Sequence, residues 1–241
     1  MWEKSHPGIP SKKLNKDIRT EVLVVGAGIT GSLVAEALTA IGREVTVIDR
    51  HPPGGGSTAA STSLLLFEID KPLVVLGAQI GPQKAERAWL RSYRAMRSLT
   101  EKIQTLGIDC EYASRDALLL PGKVLGPAGL RRECEARIAL GFPSRVAERE
   151  ELVREFGIDR PCAIISGNSA ESHPVKMSLG ILQHAIESGA KLFTPVDAKS
   201  LETNGKRAVV TTTSGIRISA DFVVLCCGFE LPGFLSAKRH Q

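Results

Sequence analysis

Short apolar runs alternate along this chain with stretches whose apolar positions recur every three or four residues, a pattern that predicts strands alternating with helices. Residues 22–25 form the first run and lead into Gly26, Gly28 and Gly31. A helix follows with Val34, Ala37, Leu38 and Ile41 as its buried stripe and Gly42 as its stop. A second run, 45–48, ends on Asp49. Residues 83–106 predict a long helix whose core stripe is Trp89, Met96, Leu99, Ile103 and Leu106. Residues 110–120 predict one or two strands, 130–140 and 148–156 helices, and 162–165 a buried strand. The helical period returns over 174–188, with Pro174 suited to its first turn and Gly189 to its stop. Strands are expected at 191–194, 196–202, 208–213 and 216–219, with Asn204-Gly205 as a hairpin turn and Ser214-Gly215 as another. The nearly continuous apolar run 221–227 predicts a central parallel strand ending at Gly228. Residues 1–19 are polar and rich in Pro and Lys, so an irregular lead-in is expected, from which Trp2 could pack back on the body.

Residues 22–49 have the full layout of a dinucleotide-binding βαβ unit. Gly26 lets the chain turn sharply out of the strand. Gly28, lacking a Cβ, lets a pyrophosphate approach the backbone. Gly31 lets the helix pack close to the sheet. The helix N-terminus offers amide donors and a partial positive charge to phosphates. Asp49 can accept hydrogen bonds from a ribose diol, and its charge disfavours a 2′-phosphate. This unit alone does not separate NAD from FAD. Three further features favour FAD: the small, hydroxyl-rich segment 54–62 after the ribose strand, the β-meander over 191–219, and a final strand that ends in Cys-Gly.

Composition narrows the partners. The 241 residues are 43% hydrophobic, enough for one large or two small cores. The net charge of +5 is spread among interleaved acids. The Arg-rich stretch 87–97 lies at helical spacing without interleaved aromatics, which favours a solvated helix face over a nucleic-acid patch. No run approaches the roughly 18–20 apolar residues of a membrane span, so no transmembrane segment is expected. The first 21 residues lack the apolar core of a secretory signal. Five cysteines without a CxxC pair predict free thiols in a reducing cytoplasm, with Cys226 and Cys227 as small core residues. No metal cluster is expected.

The chain resembles the flavin-dependent oxidoreductases of the D-amino-acid oxidase type. The matching pieces are GAGITG (26–31), VIDR (47–50), GGGSTAAST (54–62), the stretch 173–202 and DFVVLCCGFE (221–230). The resemblance implies an α/β fold: a Rossmann-like FAD-binding domain, with a parallel sheet and β-meander, plus a partial α+β substrate domain. The FAD domain would be discontinuous, over 20–75 and 170–235, with 76–169 inserted as a substrate or cap domain and 236–241 as a tail. The implied cofactor is FAD. Gly26, Gly28 and Gly31, with Ile29 and Thr30 between them, would hold the pyrophosphate. Asp49 would bind the adenosine ribose and Arg50 would lie near the adenine end. Ser57, Thr58 and Ser61 would line the cofactor between phosphates and flavin. Val196 would contact adenine through its backbone, and Gly228 would end the last strand. In relatives that strand end reads Ala-Thr-Gly or similar; Cys226-Cys227-Gly228 here keeps the glycine and loses the hydroxyl.

The implied activity is hydride transfer from an amino acid or secondary amine to flavin, the flavin carrying the hard chemistry. Members of this family continue well beyond the equivalent of residue 228, so the sequence corresponds to the part before their C-terminal third. The alternative is therefore a non-catalytic FAD-binding remnant, or a subunit needing a partner chain or oligomer over its incomplete substrate domain. No catalytic residue is named. His51 fits a turn beside Pro52-Pro53, His173 a helix start, and His184 a solvent-facing helix position. Glu68 and Asp70 fit acidic turn residues. Arg115 and Tyr112 sit on a strand where an Arg–carboxylate clamp would suit an amino acid.

Overall fold

The computed structural model describes residues 8–203, 205–230 and 232–234. Trp2, Asn204 of the expected hairpin and the 236–241 tail lie outside the described residues. The chain forms two compact units: residues 1–62, 105–111 and 173–241 make the first, and 63–104 with 112–172 make the second.

In the first unit, β1 (Ile18–Val25) feeds α1 (Ile29–Ala40), which returns to β2 (Val45–Ile48). Residues Val22 to Val25 pair in parallel with Val45 to Ile48 on one side and with Phe222 to Leu225 on the other. Both edges of β1 are therefore paired, and both its faces are covered. Val22 and Val24 meet Val45, Val47 and Leu182, whereas Leu23 and Val25 meet Ile48, Phe193, Val210 and Ile218. This two-sided burial explains an apolar run without polar alternation. The strand begins earlier than the apolar run because Ile18, Arg19 and Thr20 already pair with Ile218, Ser219 and Ala220. Part of the expected irregular lead-in is thus ordered, and Lys12 donates its amide to the Leu192 carbonyl at 3.1 Å.

The buried face of α1 differs from the expected stripe. Gly31, Ser32, Ala35, Glu36 and Thr39 are buried, whereas Ala37 and Ile41 are exposed. Close approach selects the small residues. The second helix of this unit packs on α1 through a buried Ser32–Ser178 hydroxyl contact of 3.1 Å. Bulky Val34 and Leu38 sit at the margin of that contact, half-buried.

In the second unit, β3 (Leu64–Leu65) precedes α2 (Leu73–Ile80) and α3 (Pro82–Thr105), which ends at the boundary; β4 (Ala113–Leu119), α4 (Pro127–Ala139), β5 (Ser144–Glu148), α5 (Arg149–Phe156) and β6 (Cys162–Glu171) complete it. Strand β6 is longer than expected and is flanked by β4 on one edge and by β3 and β5 on the other, all antiparallel. The sequence pattern misses β3, α2 and β5. Trp89, Met96 and Ile103 of α3 are buried as expected, with Phe67, Phe142 and Tyr93 forming an aromatic cluster around Trp89.

The chain returns to the first unit through α6 (Pro174–Glu187), β7 (Lys191–Phe193), β8 (Ala198–Thr203), β9 (Ala208–Thr212) and β10 (Arg217–Leu225). The order among the described strands is β7-β2-β1-β10-β9-β8. Two expectations change here. The 191–194 strand is not part of the meander, because β7 pairs in parallel with β2 at the opposite edge. The strands expected at 216–219 and 221–227 are one strand, β10, whose first half pairs with β9 and whose whole length pairs with β1. Among the described residues, nothing pairs with Asp221 to Leu225 on the side away from β1, and Phe222 there is 65% exposed.

Candidate cofactor site

The glycines do three separate jobs at the end of β1. Gly26 turns with φ +113°, and a Cβ there would lie 2.4 Å from the Cys226 carbonyl oxygen. A Cβ on Gly31 would lie 1.8 Å from the Gly26 carbonyl oxygen, so Gly31 seats the first turn of α1 directly on the strand end. A Cβ on Gly28 would meet only the Thr58 hydroxyl, at 2.9 Å. Gly28 therefore keeps open the space in front of the helix N-terminus, on the side where Thr58 stands.

Thr58 reaches that place through a single turn, 56–60, closed by the Ala60 amide on the Gly56 carbonyl at 3.2 Å. Its Oγ1 accepts the Ile29 amide at 3.0 Å. The hydroxyl proton is then directed away from Ile29 and can be given to an anion at the same helix end, beside the first-turn amides of Thr30 and Gly31. Gly54 secures the approach of this segment, its amide donating to the Ala27 carbonyl at 2.9 Å.

Asp49 stands beside the same loop. Its Oδ2 accepts the Ala27 amide at 2.7 Å, and its Oδ1 accepts the His51 amide at 2.8 Å. A carboxylate has about four acceptor positions, so each oxygen retains capacity for a ribose hydroxyl. The residues present thus fit an adenine dinucleotide: anion donors at α1, a hydroxyl beside them and a two-pronged acceptor at the end of β2.

The structure also shows what the sequence did not. Asp49 braces the glycine loop through Ala27, a contact that spacing alone does not reveal. Cys227 lies close enough to feel the Asp49 charge. Burial first, and then that charge, raise its thiol pKa. Burial likewise pushes Cys226 up to about 11. The two side chains are half-buried and pack at the margins of the cores on opposite faces of the sheet, so they are not the core residues the sequence led one to expect. With the pKa raised from 9.0 to about 11, the thiolate fraction of Cys226 near neutrality falls by about 100-fold. We expect iodoacetamide to label Cys226 about 100-fold more slowly than an unfolded control at pH 8, with the rate rising as pH approaches 11. Equal rates, read by peptide mass spectrometry, would contradict this arrangement.

The other expected residues are placed as follows. Ser57 faces Gly228, where a Cβ would lie 3.5 Å from its Oγ, and Gly228 has φ +63°. Ser61 is exposed and donates its amide to the Thr58 carbonyl at 3.2 Å. Arg50 forms an ion pair with Glu230, beyond β10. The Val196 amide donates to the Asp49 carbonyl at 2.7 Å, so only its carbonyl can serve a ligand.

His173 starts α6, its Nδ1 accepting the Lys176 amide at 3.3 Å, which is a capping role. His51 is exposed. His184 is not solvent-facing: it is half-buried and its Nε2–H donates to the Leu106 carbonyl at 3.0 Å, tying α6 to the 105–111 segment. In the second unit, Arg115 pairs with Glu171 at 2.7 Å and Tyr112 contacts the Thr100 hydroxyl at 3.4 Å. Glu68 is half-buried beside Arg137, not a free turn residue, whereas Asp70 is exposed. Among the described residues there is no cluster that could hold a metal ion, and no helix is long and apolar enough to cross a membrane.

A βαβ unit with a carboxylate after its second strand, followed by a parallel strand that runs into an antiparallel meander, defines a dinucleotide-binding protein of the Rossmann-like class. The FAD dependent oxidoreductase (DAO) family matches residues 21–240, and the chain belongs to that family. It is therefore an enzyme by family, and the family's cofactor is FAD, which sets aside the nicotinamide reading. A Bacillus subtilis protein named for a Rieske 2Fe-2S iron-sulfur centre is 24% identical over 240 residues, covering 98% of this chain and 45% of its own length. The gamma-glutamylputrescine oxidoreductase of Escherichia coli is 22% identical over 218 residues, covering 90% of this chain and 50% of its own. The L-amino acid deaminase from Proteus vulgaris shares the fold with a TM-score of 0.72 at 21% identity, covering 91% of this chain and 50% of that one. The chain spans about half the length of these proteins.

Proposed function

We propose that this chain forms the FAD-holding part of a cytoplasmic oxidoreductase that takes a hydride from an amine or amino acid. The observation that carries this reading is the convergence of Gly28, the α1 N-terminus, Thr58 and Asp49 around one loop. The first-turn amides and Thr58 would receive the pyrophosphate, and Asp49 the adenosine ribose. Ser57 and Gly228 would line the path beyond the phosphates. Ser61 and the Val196 carbonyl would flank it, and Arg50 would lie at the adenine end in its pair with Glu230. When bound, FAD supplies a two-electron acceptor for a hydride leaving a carbon that bears nitrogen. The substrate class is supported by the names of two similar proteins, an L-amino acid deaminase and a gamma-glutamylputrescine oxidoreductase. An amine arriving neutral needs no protein base, which agrees with a site built from backbone amides, hydroxyls and one carboxylate.

A second reading concerns completeness. The unpaired side of β10 at Asp221 to Leu225 and the exposed Phe222 favour a further polypeptide segment, in the same chain or another, adding a strand there. On this reading turnover requires that segment, whereas FAD binding does not.

The test is an absorbance spectrum of the purified chain with and without FAD, followed by anaerobic addition of D- and N-methyl-amino acids. Bound flavin that bleaches supports a working oxidoreductase. Bound flavin that never bleaches supports the subunit reading. A folded chain with no affinity for FAD overturns the cofactor site. Asp49→Ala is expected to weaken FAD binding by roughly 10- to 100-fold, since hydrogen bonds to a charged acceptor contribute about 1.5–3 kcal/mol. Asp49→Asn, which keeps one acceptor, should lose less. Fluorescence titration reads the affinity, and the melting temperature separates it from the loss of the Ala27 brace.

A further inference from the structure

Helix α2 and the start of α3 carry two features that the cofactor site does not use. The first is an apolar helix that is not buried. Helix α2 reads LVVLGAQI, and of its residues only Leu73 is fully buried. Val74, Val75 and Leu76 are half-buried and Ile80 is 45% exposed. A helix apolar on nearly all sides normally lies inside a core or a bilayer.

The second feature is a row of cations without partners. Lys84, Arg87, Arg91 and Arg94 are all exposed, and among the described residues none forms an ion pair. Their spacing of i, i+3, i+7 and i+10 places them within an arc of about 80° and along about 15 Å of helix. That arc lies opposite the buried face made by Ala85, Trp89, Met96 and Ile103. By contrast, Arg97, outside the arc, pairs with Glu101 at 3.3 Å. Only Gly81 separates α2 from α3, so the apolar helix runs directly into the basic one.

We propose that the α2–α3 corner is a docking surface for an anionic lipid bilayer, with α2 entering the interface and the α3 cations resting on lipid phosphates. An apolar element beside a basic stripe is the pairing that interfacial binding requires, since neither signal alone holds a protein on a membrane. Charge complementarity selects anionic over neutral lipid. The aliphatic character of α2, with no aromatic side chain for base stacking, selects lipid over a polynucleotide. The contact is peripheral and does not depend on bound flavin.

The experiment is flotation of the full chain with vesicles of phosphatidylcholine alone and of phosphatidylcholine mixed with phosphatidylglycerol, at low and high salt. Binding is expected to the anionic vesicles only, and to fall steeply with salt. The triple variant Arg87→Gln, Arg91→Gln, Arg94→Gln should lose about 100-fold in partitioning, given the contribution of each basic residue near a charged surface. Ile80→Asp should lose a comparable amount while leaving the α3 charges in place. Both changes are at exposed positions, so melting temperatures should match the parent and exclude misfolding. Equal binding to both vesicle types, no flotation, or parental binding by the triple variant would overturn the proposal. So would light scattering that shows a vesicle-free dimer dispersed by Ile80→Asp, because α2 would then be covered by a second copy.

Discussion

Gly31→Ala is expected to destabilise the first unit severely, although in an ordinary helix the same change stabilises. Gly31 lies in the first turn of α1, and replacing a helical glycine by alanine normally gains up to about 1 kcal/mol. Here the added Cβ would lie 1.8 Å from the Gly26 carbonyl oxygen. That oxygen belongs to the backbone of the strand end, which is pinned by the Gly26 amide on Ile48 and by the Cys226 amide on Val25. No side-chain rotation relieves the clash, so α1 must move off the sheet by more than an ångström. Moving α1 opens its small-residue contact with α6 and the Ser32–Ser178 pair. The expected loss is at or above the top of the roughly 1–3 kcal/mol that overpacking usually costs. Gly28→Ala is the informative contrast. Its Cβ would meet only the Thr58 hydroxyl at 2.9 Å, and a side chain can turn aside. That variant should keep its fold and lose FAD affinity instead. Urea unfolding and FAD titration of the two proteins separate the effects; a Gly31→Ala chain more stable than its parent would refute the packing role.

This contrast shows what the sequence can and cannot convey. The three glycines and Asp49 are legible because backbone turns, close approach and ribose recognition each demand a residue type at a fixed distance along the chain. The partner of each glycine is not legible: Cys226 lies 200 residues from Gly26, and Thr58 reaches Ile29 only through a local turn. The buried face of α1 departs from the apolar stripe because size outranks hydrophobicity where two helices approach closely, so Ser32 and Ala35 are buried while Ile41 is exposed. The division of β10 into two strands followed from its polar middle, Ser219 to Asp221, which pairing to β1 nevertheless spans. Helix α2 is not legible because a short, mostly apolar run has no helical period to distinguish it from a strand. His184 lies outside the apolar positions of the α6 period and so reads as solvent-facing, but the carbonyl it binds comes from a segment of the chain 78 residues away.

Breaking the buried Glu133–Arg137 pair should cost the second unit about 3 kcal/mol from either side, because each single change leaves a buried charge without its nearest partner. Both side chains are almost fully buried, and Arg137 Nε donates to Glu133 Oε1 at 2.8 Å. Arg137 also donates from Nη1 to Ser166 at 3.1 Å, approaches Glu68 at 3.5 Å and lies 4.6 Å over the Trp89 ring. Glu133 in turn accepts the Leu73 and Val74 amides, each at 2.9 Å. Those are first-turn amides of α2, whose N-cap, Pro72, has no side chain able to receive them. A carboxylate on α4 therefore caps α2. Arg137→Met strands that carboxylate without its cation but leaves the cap in place. Glu133→Ala leaves the cation only its longer pair with Glu68 and removes the cap as well, so it should be the more damaging of the two. Replacing both, as Glu133→Leu with Arg137→Met, should cost less than the sum of the singles by about 2 kcal/mol or more. Urea unfolding followed by tryptophan fluorescence reads all three variants, since Trp89 is buried in the core of the same unit. Additive single effects would mean that the two groups act separately. The cap also links this pair to the proposed lipid surface: α2 is held by its N-terminus, Leu73 and Leu76 and not by all-round burial, so Glu133→Ala should loosen α2 and weaken flotation without touching a single α3 cation.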